Sequence, residues 1–206
     1  MTPITRREML ARLGAVLGVM AGATAASPLS PPARARAQTA AAETFVALTP
    51  VEAETVRAVV ARLIPADENG PGALEARADR YIDRGLAGAL KASRAAYNAG
   101  LADLNARAQS AKGAAFARLS GADQDAVLTT FQQTSAQFFN LIRSHTIQGT
   151  FGDPFYGGNA NFVGWNLIGY PGARITVTAD LQRLDKKPEP SRKSAYDYSM
   201  FSKAEV

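Results

Sequence analysis

The sequence predicts a mostly α protein. It has a single helical domain of about five helices, closed by a long ordered loop rich in glycine and aromatic residues, with a disordered leader before it and a polar tail after it. Three observations predict this. Apolar residues recur at helical spacing in successive segments between residues 50 and 148. No period-2 alternation competes with them before residue 150. The stretch from Gly149 to Gly172 then gathers 7 of the 17 glycines and six aromatic side chains, with Asp153 as its one charged residue.

Residues 1–37 read as an export leader. Thr5-Arg6-Arg7-Glu8-Met9-Leu10 resembles the twin-arginine motif, and a modest Ala- and Gly-rich apolar run follows from Leu13 to Ala26. That run is short for a bilayer span, which takes about 20 residues. Pro28, Pro31 and Pro32 end it, and Ala35-Arg36-Ala37 supplies the small-x-small pattern of a cleavage site, leaving Gln38 at the new N-terminus. Retention of the leader as an anchor is the alternative. The net charge of +5 sits mostly here, with five Arg against one Glu, so the remainder offers no nucleic-acid surface.

Residues 38–47 form an Ala-rich tether. Thr49-Pro50-Val51-Glu52 starts the first helix: Thr49 caps, Pro50 takes the first position and Glu52 completes a capping box. Val56, Val59, Val60 and Leu63 make its buried stripe, and Pro65 stops it. Asp67 and Glu68 read as a solvated turn before Gly70-Pro71-Gly72, with a cation or partner-arginine contact as the sharper alternative. A second helix is predicted from about Ala73 to Ala87, with Leu74, Ala78, Tyr81 and Ile82 on one face. A third is predicted from about Leu90 to Ala108, with Gly113 as the break. Ser120 caps a fourth, whose apolar face is Val127, Leu128 and Phe131. The fifth runs from about Ser135 to Gln148 with Phe138, Leu141, Ile142 and His145 in phase.

The loop that follows carries the turn signals Asp153-Pro154 and Gly157-Gly158-Asn159. Its aromatics, Phe151, Phe155, Tyr156, Phe162, Trp165 and Tyr170, need cover from either a partner or the domain's own core. Trp165 in the core with Phe155 and Tyr156 outward would satisfy both. Arg174 to Thr178 is the best strand candidate, short and isolated. Residues 180–206 are a polar tail whose Tyr196, Tyr198, Met200 and Phe201 suit docking onto a partner groove, the alternative being an unstructured end.

The chemistry available is narrow. Cysteine is absent, and with it disulfides, iron–sulfur clusters and thiolate metal sites. His145 is the single histidine and the one side chain suited to acid–base work near neutrality. A buried core or interface role is the more frequent outcome, although Asp153 is close enough in sequence to accept its N–H. The Gly157-Gly158 pair lacks the spacing and the lysine of a phosphate loop, so flavin binding by this chain is unsupported.

GDPFYGGNANFVGWNLIGYPG resembles the signature of the gluconate 2-dehydrogenase subunit 3 family, and the likeness is expected to cover roughly Leu48 to Gly172. The resemblance implies a small non-catalytic subunit of a periplasmic dehydrogenase. It implies a large partner carrying FAD, and a cytochrome c subunit carrying haem c. Those partners would hold the complex at the membrane. The twin-arginine machinery moves folded cargo, so this subunit is expected to supply the export signal of its flavoprotein. On this reading the partner interface comprises His145, Asp153, Pro154, Phe155, Tyr156, Gly157, Gly158, Asn159, Trp165 and Tyr170, with no catalytic, cofactor or metal residue. The alternatives are a freestanding exported enzyme using His145 and Asp153, and a periplasmic ligand-binding module.

Overall fold

A computed structural model describes residues 44–201. Arg6, Arg7, Ala35, Ala37 and Gln38, which carry the export reading, lie outside the described residues. Among the described residues there are six α-helices: α1 Pro50–Leu63, α2 Ala78–Ala87, α3 Arg94–Lys112, α4 Gly121–Thr134, α5 Ala136–Phe151 and α6 Val163–Leu167. Short 3-10 turns separate several of them. Among the described residues no helix is long and apolar enough to cross a membrane.

Helix α1 sits at the centre and touches α2, α3, α4 and α5. Val56, Val59 and Val60 are fully buried there, as the i, i+3, i+4 spacing requires. Its capping box forms in full: Thr49 Oγ1 accepts from Glu52 N (3.3 Å), and Glu52 Oε2 accepts from Thr49 N (2.8 Å). Arg94 at the start of α3 grips the same carboxylate with two hydrogen bonds of 2.8 Å. Burial pushes the Glu52 pKa up, but the bonds from Arg94 and Thr49 outweigh it and hold the carboxyl below its ordinary value.

Helix α2 starts later than the periodicity predicts. Ala73 N donates to Ile64 O (2.9 Å), so residues 73–77 fold as turns against the end of α1. Arg77, at φ 60° and ψ 37°, is left-handed and cannot continue a helix backwards. The helix then lies along α5, its most extensive neighbour. Ala78 and Gly149 allow the close approach, since a Cβ on Gly149 would stand 2.9 Å from Ala78 Cα. Asp67 and Glu68 are exposed, and Asp67 Oδ1 accepts from Asn69 N (2.8 Å), so they form the solvated turn.

A 3-10 turn at Lys91–Ser93 precedes α3, and Gly113 ends it in the left-handed region at φ 75°. Ser120 caps α4 by accepting from Asp123 N (3.2 Å). The end of the tether is fixed. Asp83, buried in α2, accepts from the backbone N–H groups of Val46 (2.7 Å), Ala47 (2.9 Å) and Leu48 (3.0 Å). The Arg80 guanidinium lies 3.8 Å over the Phe45 ring.

Two expectations need correction. Arg174–Thr178 forms no strand, and the described residues contain only an isolated bridge between Asp67 and Gly70. A lone strand has nothing to pair with in an all-helical domain, whatever its β propensity. The polar tail is also not an open end over its described length: residues 191–201 pack back on the loop, as set out next.

Candidate partner-docking surface

The loop begins inside α5, which runs three residues past Gln148 to Phe151. A helix end leaves carbonyls without intrahelical partners, and here the loop supplies the donors. Gly152 N donates to Gln148 O (2.8 Å), Asn159 N to Gly149 O (2.7 Å) and Trp165 Nε1 to Phe151 O (2.9 Å). Asn159 is the knot. Its Nδ2 donates to Gly152 O (2.8 Å), and its Oδ1 accepts from Gly164 N (2.8 Å) and Trp165 N (3.4 Å). The residue is fully buried at φ 44°, a left-handed conformation that Asn tolerates. Glycine is required at two contacts because backbone meets backbone. A Cβ on Gly158 would stand 2.1 Å from Gly149 O, and one on Gly164 would stand 1.8 Å from Thr150 O.

Asp153 then joins the loop to the tail. Its Oδ1 accepts from Phe155 N (2.9 Å), starting the 3-10 turn Pro154–Tyr156, and from Ser194 Oγ (2.5 Å). Its Oδ2 accepts from Ala195 N (2.8 Å). Ser194 heads its own turn, with Asp197 Oδ2 accepting from Ser194 N (2.7 Å). This arrangement delivers Tyr196 onto the loop. Its ring stacks on Phe155 at 3.8 Å between centroids, and its hydroxyl lies 2.7 Å from that of Tyr156. The hydrogen bond to Tyr196 raises the Tyr156 pKa above its ordinary value, which keeps that phenol neutral at physiological pH.

The resulting surface is apolar. Among the described residues thirteen large hydrophobic side chains are exposed, and ten of them fall between Phe155 and Phe201. Phe155 is 60% exposed and Tyr156 52%, even with Tyr196 against them; Leu167, Ile168 and Tyr170, further along the loop, are exposed too. Single exposed apolar residues are ordinary on a protein surface, but so many within one segment are not.

His145 lies elsewhere. It is 5% exposed, and its Nδ1 is 3.0 Å from the hydroxyl of fully buried Tyr97. The two rings are parallel, 5.8 Å apart. The pairing with Asp153 that sequence proximity allowed does not form, and that carboxylate is engaged by Phe155, Ser194 and Ala195. His145, Gly158, Asn159 and Trp165 are all buried, so they lie behind this exposed surface rather than on it. Asp153, Pro154 and Gly157 are partly buried at its base, and Phe155, Tyr156 and Tyr170 face outward.

Burial holds the His145 pKa below its ordinary value of 6.5. The unfolded chain therefore binds a proton that the folded one refuses. The stabilisation is complete above about pH 6.5 and declines as pH falls from there towards the depressed folded value. The thermal midpoint should drop between pH 7 and pH 5, and His145→Gln should flatten that slope. An equal slope in the variant would exclude His145 as its source.

Sequence reasoning missed Ser194 and the tail's seat on Asp153. The Ser194-x-x-Asp197 spacing of a capping box was the available signal. Among the described residues no three His, Asp or Glu side chains converge to hold a metal ion. A hollow between α3, α4 and α5 is lined by Gly100, Phe131 and Phe138 with Asp103 and Ser135 at its rim. Ser135 Oγ donates to Asp103 (2.8 Å), and Arg107 Nε does so at 2.9 Å, so this carboxylate is already paired.

Comparison with known proteins gives one match. The family model described as Gluconate 2-dehydrogenase subunit 3 covers residues 50–172, from the first position of α1 to the last glycine of the loop. No curated protein and no solved structure matches.

Proposed function

Since the chain belongs to the gluconate 2-dehydrogenase subunit 3 family, we propose that it is the non-catalytic small subunit of a periplasmic flavoprotein dehydrogenase complex. It binds and stabilises a large FAD-carrying subunit that oxidises gluconate, another sugar acid or a polyol. A cytochrome c subunit with haem c takes the electrons and keeps the complex at the membrane. The leader, with Arg6 and Arg7, supplies the twin-arginine export signal for this chain and its flavoprotein.

The observation that carries this reading is the gathering of ten exposed apolar side chains on the loop and the segment after it. Aromatic anchors of this kind dominate protein interfaces. The loop beneath them is tied to the end of α5 by hydrogen bonds from Asn159 to Gly149 and Gly152 and from Trp165 to Phe151, and is knotted internally where Asn159 Oδ1 accepts from Gly164 and Trp165, so the surface is preorganised. A catalytic role for His145 and Asp153 is disfavoured because each is already engaged, one with Tyr97 and the other with the tail.

Co-expression with the flavin-carrying chain tests the proposal. The expected product is a yellow complex that passes electrons from gluconate or a related sugar acid to an artificial acceptor dye. This chain purified alone should reduce no dye and should aggregate through its exposed aromatics. Turnover by the isolated chain, or its failure to bind the flavoprotein, would overturn the reading.

A further inference from the structure

The segment from Ser191 to Tyr198 reaches both ends of the aromatic loop. At the loop's start, Asp153 accepts from Ser194 Oγ and Ala195 N, and the Tyr196 ring stacks on Phe155. At its exit, Ser191 N donates to Pro171 O (2.7 Å), and Ala173 O accepts from Ser191 Oγ (3.0 Å) and Tyr198 Oη (3.0 Å). A tail held at two separated points closes the loop as a strap. A partner that lifted it would strip Asp153 of two of its donors.

Two polar groups beside the rings have nothing to bind within the chain. Tyr156 and Tyr196 share one hydrogen bond, in which one hydroxyl donates and the other accepts. The accepting phenol keeps its own O–H for another acceptor. Arg84 of α2 lies against Gly157, the residue after Tyr156; a Cβ on Gly157 would stand 2.8 Å from Arg84 Nη1. Arg84 is exposed and makes no ion pair among the described residues, whereas Arg57, Arg62, Arg94, Arg107 and Arg118 each hold a carboxylate. A free guanidinium and a free O–H beside three aromatic rings are complementary to a carboxylate bordered by apolar side chains.

We propose that residues 191–198 are a fixed part of the docking surface, and that Tyr196 and Arg84 together recognise a carboxylate set among apolar side chains on the flavin-carrying subunit. The inference rests on the function proposed above and names the chemistry that its partner presents. A cover that the partner displaces is the poorer role for the strap. With Tyr196 seated, Phe155 and Tyr156 still present more than half of their surface, so nothing needs to be uncovered.

Backbone hydrogen exchange on the isolated chain and on the co-expressed complex tests the strap. The amides of Ser191 and Ala195, both bonded to the loop, should be protected in the isolated chain and exchange at least as slowly in the complex. Tyr196→Ala and Arg84→Glu should each weaken assembly by about tenfold or more, and added salt should shrink the loss for Arg84→Glu. Tyr196→Phe keeps the stacked ring without its hydroxyl, so it should fall between Tyr196→Ala and the native chain. Neither side chain belongs to the core, so the thermal midpoint of each isolated variant should be unchanged. Free exchange of the two amides in the isolated chain, or protection lost in the complex, overturns the fixed strap. Assembly that tolerates or tightens with Tyr196→Ala or Arg84→Glu, or a loss for Arg84→Glu that salt does not move, overturns the recognition and leaves the subunit reading intact. A native chain that forms no complex overturns the subunit reading itself and the docking role with it.

Discussion

Replacing Asn159 with Ala should cost the domain about 3–5 kcal/mol and release the loop. Two backbone groups lose their partners, the buried N–H of Gly164 and the partly buried C=O of Gly152, each worth about 1–3 kcal/mol when left unpaired. Ala is also less suited to the left-handed conformation at φ 44°, adding about 1 kcal/mol. Trp165, the single tryptophan, is 6% exposed beside the knot, so its fluorescence reports the release directly. Urea unfolding followed by that signal measures the cost. Asn159→Asp keeps the acceptor and loses the donor, so it should fall between the two. Gly164→Ala tests the same contact from the opposite side: its Cβ would stand 1.8 Å from Thr150 O, and the loop must lift from α5 to make room. Binding of the flavoprotein should fail in all three in proportion to the lost stability, because the loop positions Phe155 and Tyr156. A loss under about 1 kcal/mol for Asn159→Ala would show that the knot is not what holds the loop.

Changing Arg6 and Arg7 together to Lys should reduce periplasmic dehydrogenase activity to background and leave both this chain and its flavoprotein in the cytoplasm. The substitution keeps both charges and removes the planar, multiply donating guanidinium groups, so it separates recognition of the pair from simple electrostatics. The folded core should be untouched, since α1 and its cap begin more than forty residues later. Fractionation followed by detection of each chain checks the outcome. A flavoprotein that still reaches the periplasm would show that it travels on a signal of its own, and the carrier role would fall while the binding role survived.

Most of the helical framework was legible in the sequence because its determinants are local. Thr49, Pro50 and Glu52 act within four residues of one another. Ser120 caps the turn that follows it, and Gly113 ends a helix by its own backbone geometry. The valines of α1 are in phase because a helix has one period. Boundaries slipped where a distant group intervened. Ile64 O claims the N–H of Ala73 and delays α2, while the loop's donors carry α5 on to Phe151.

By itself, then, the sequence determined where chain geometry repeats and where it must turn, and the density of aromatics in residues 149–172 marked the segment that packs on the end of α5. Only the tertiary structure decided which of those side chains look outward. Asn159 and Trp165 turn in to satisfy the end of α5, and Phe155 and Tyr156 turn out to meet Tyr196. Asp153 is taken from His145 by Ser194, 41 residues away. The residues from Arg174 to Thr178 keep a strand's composition but form none, because pairing depends on a neighbour that no local pattern can supply. Hydrogen-bond partners that meet across long loops leave no period and no fixed spacing in a chain, so they become visible only once it has folded.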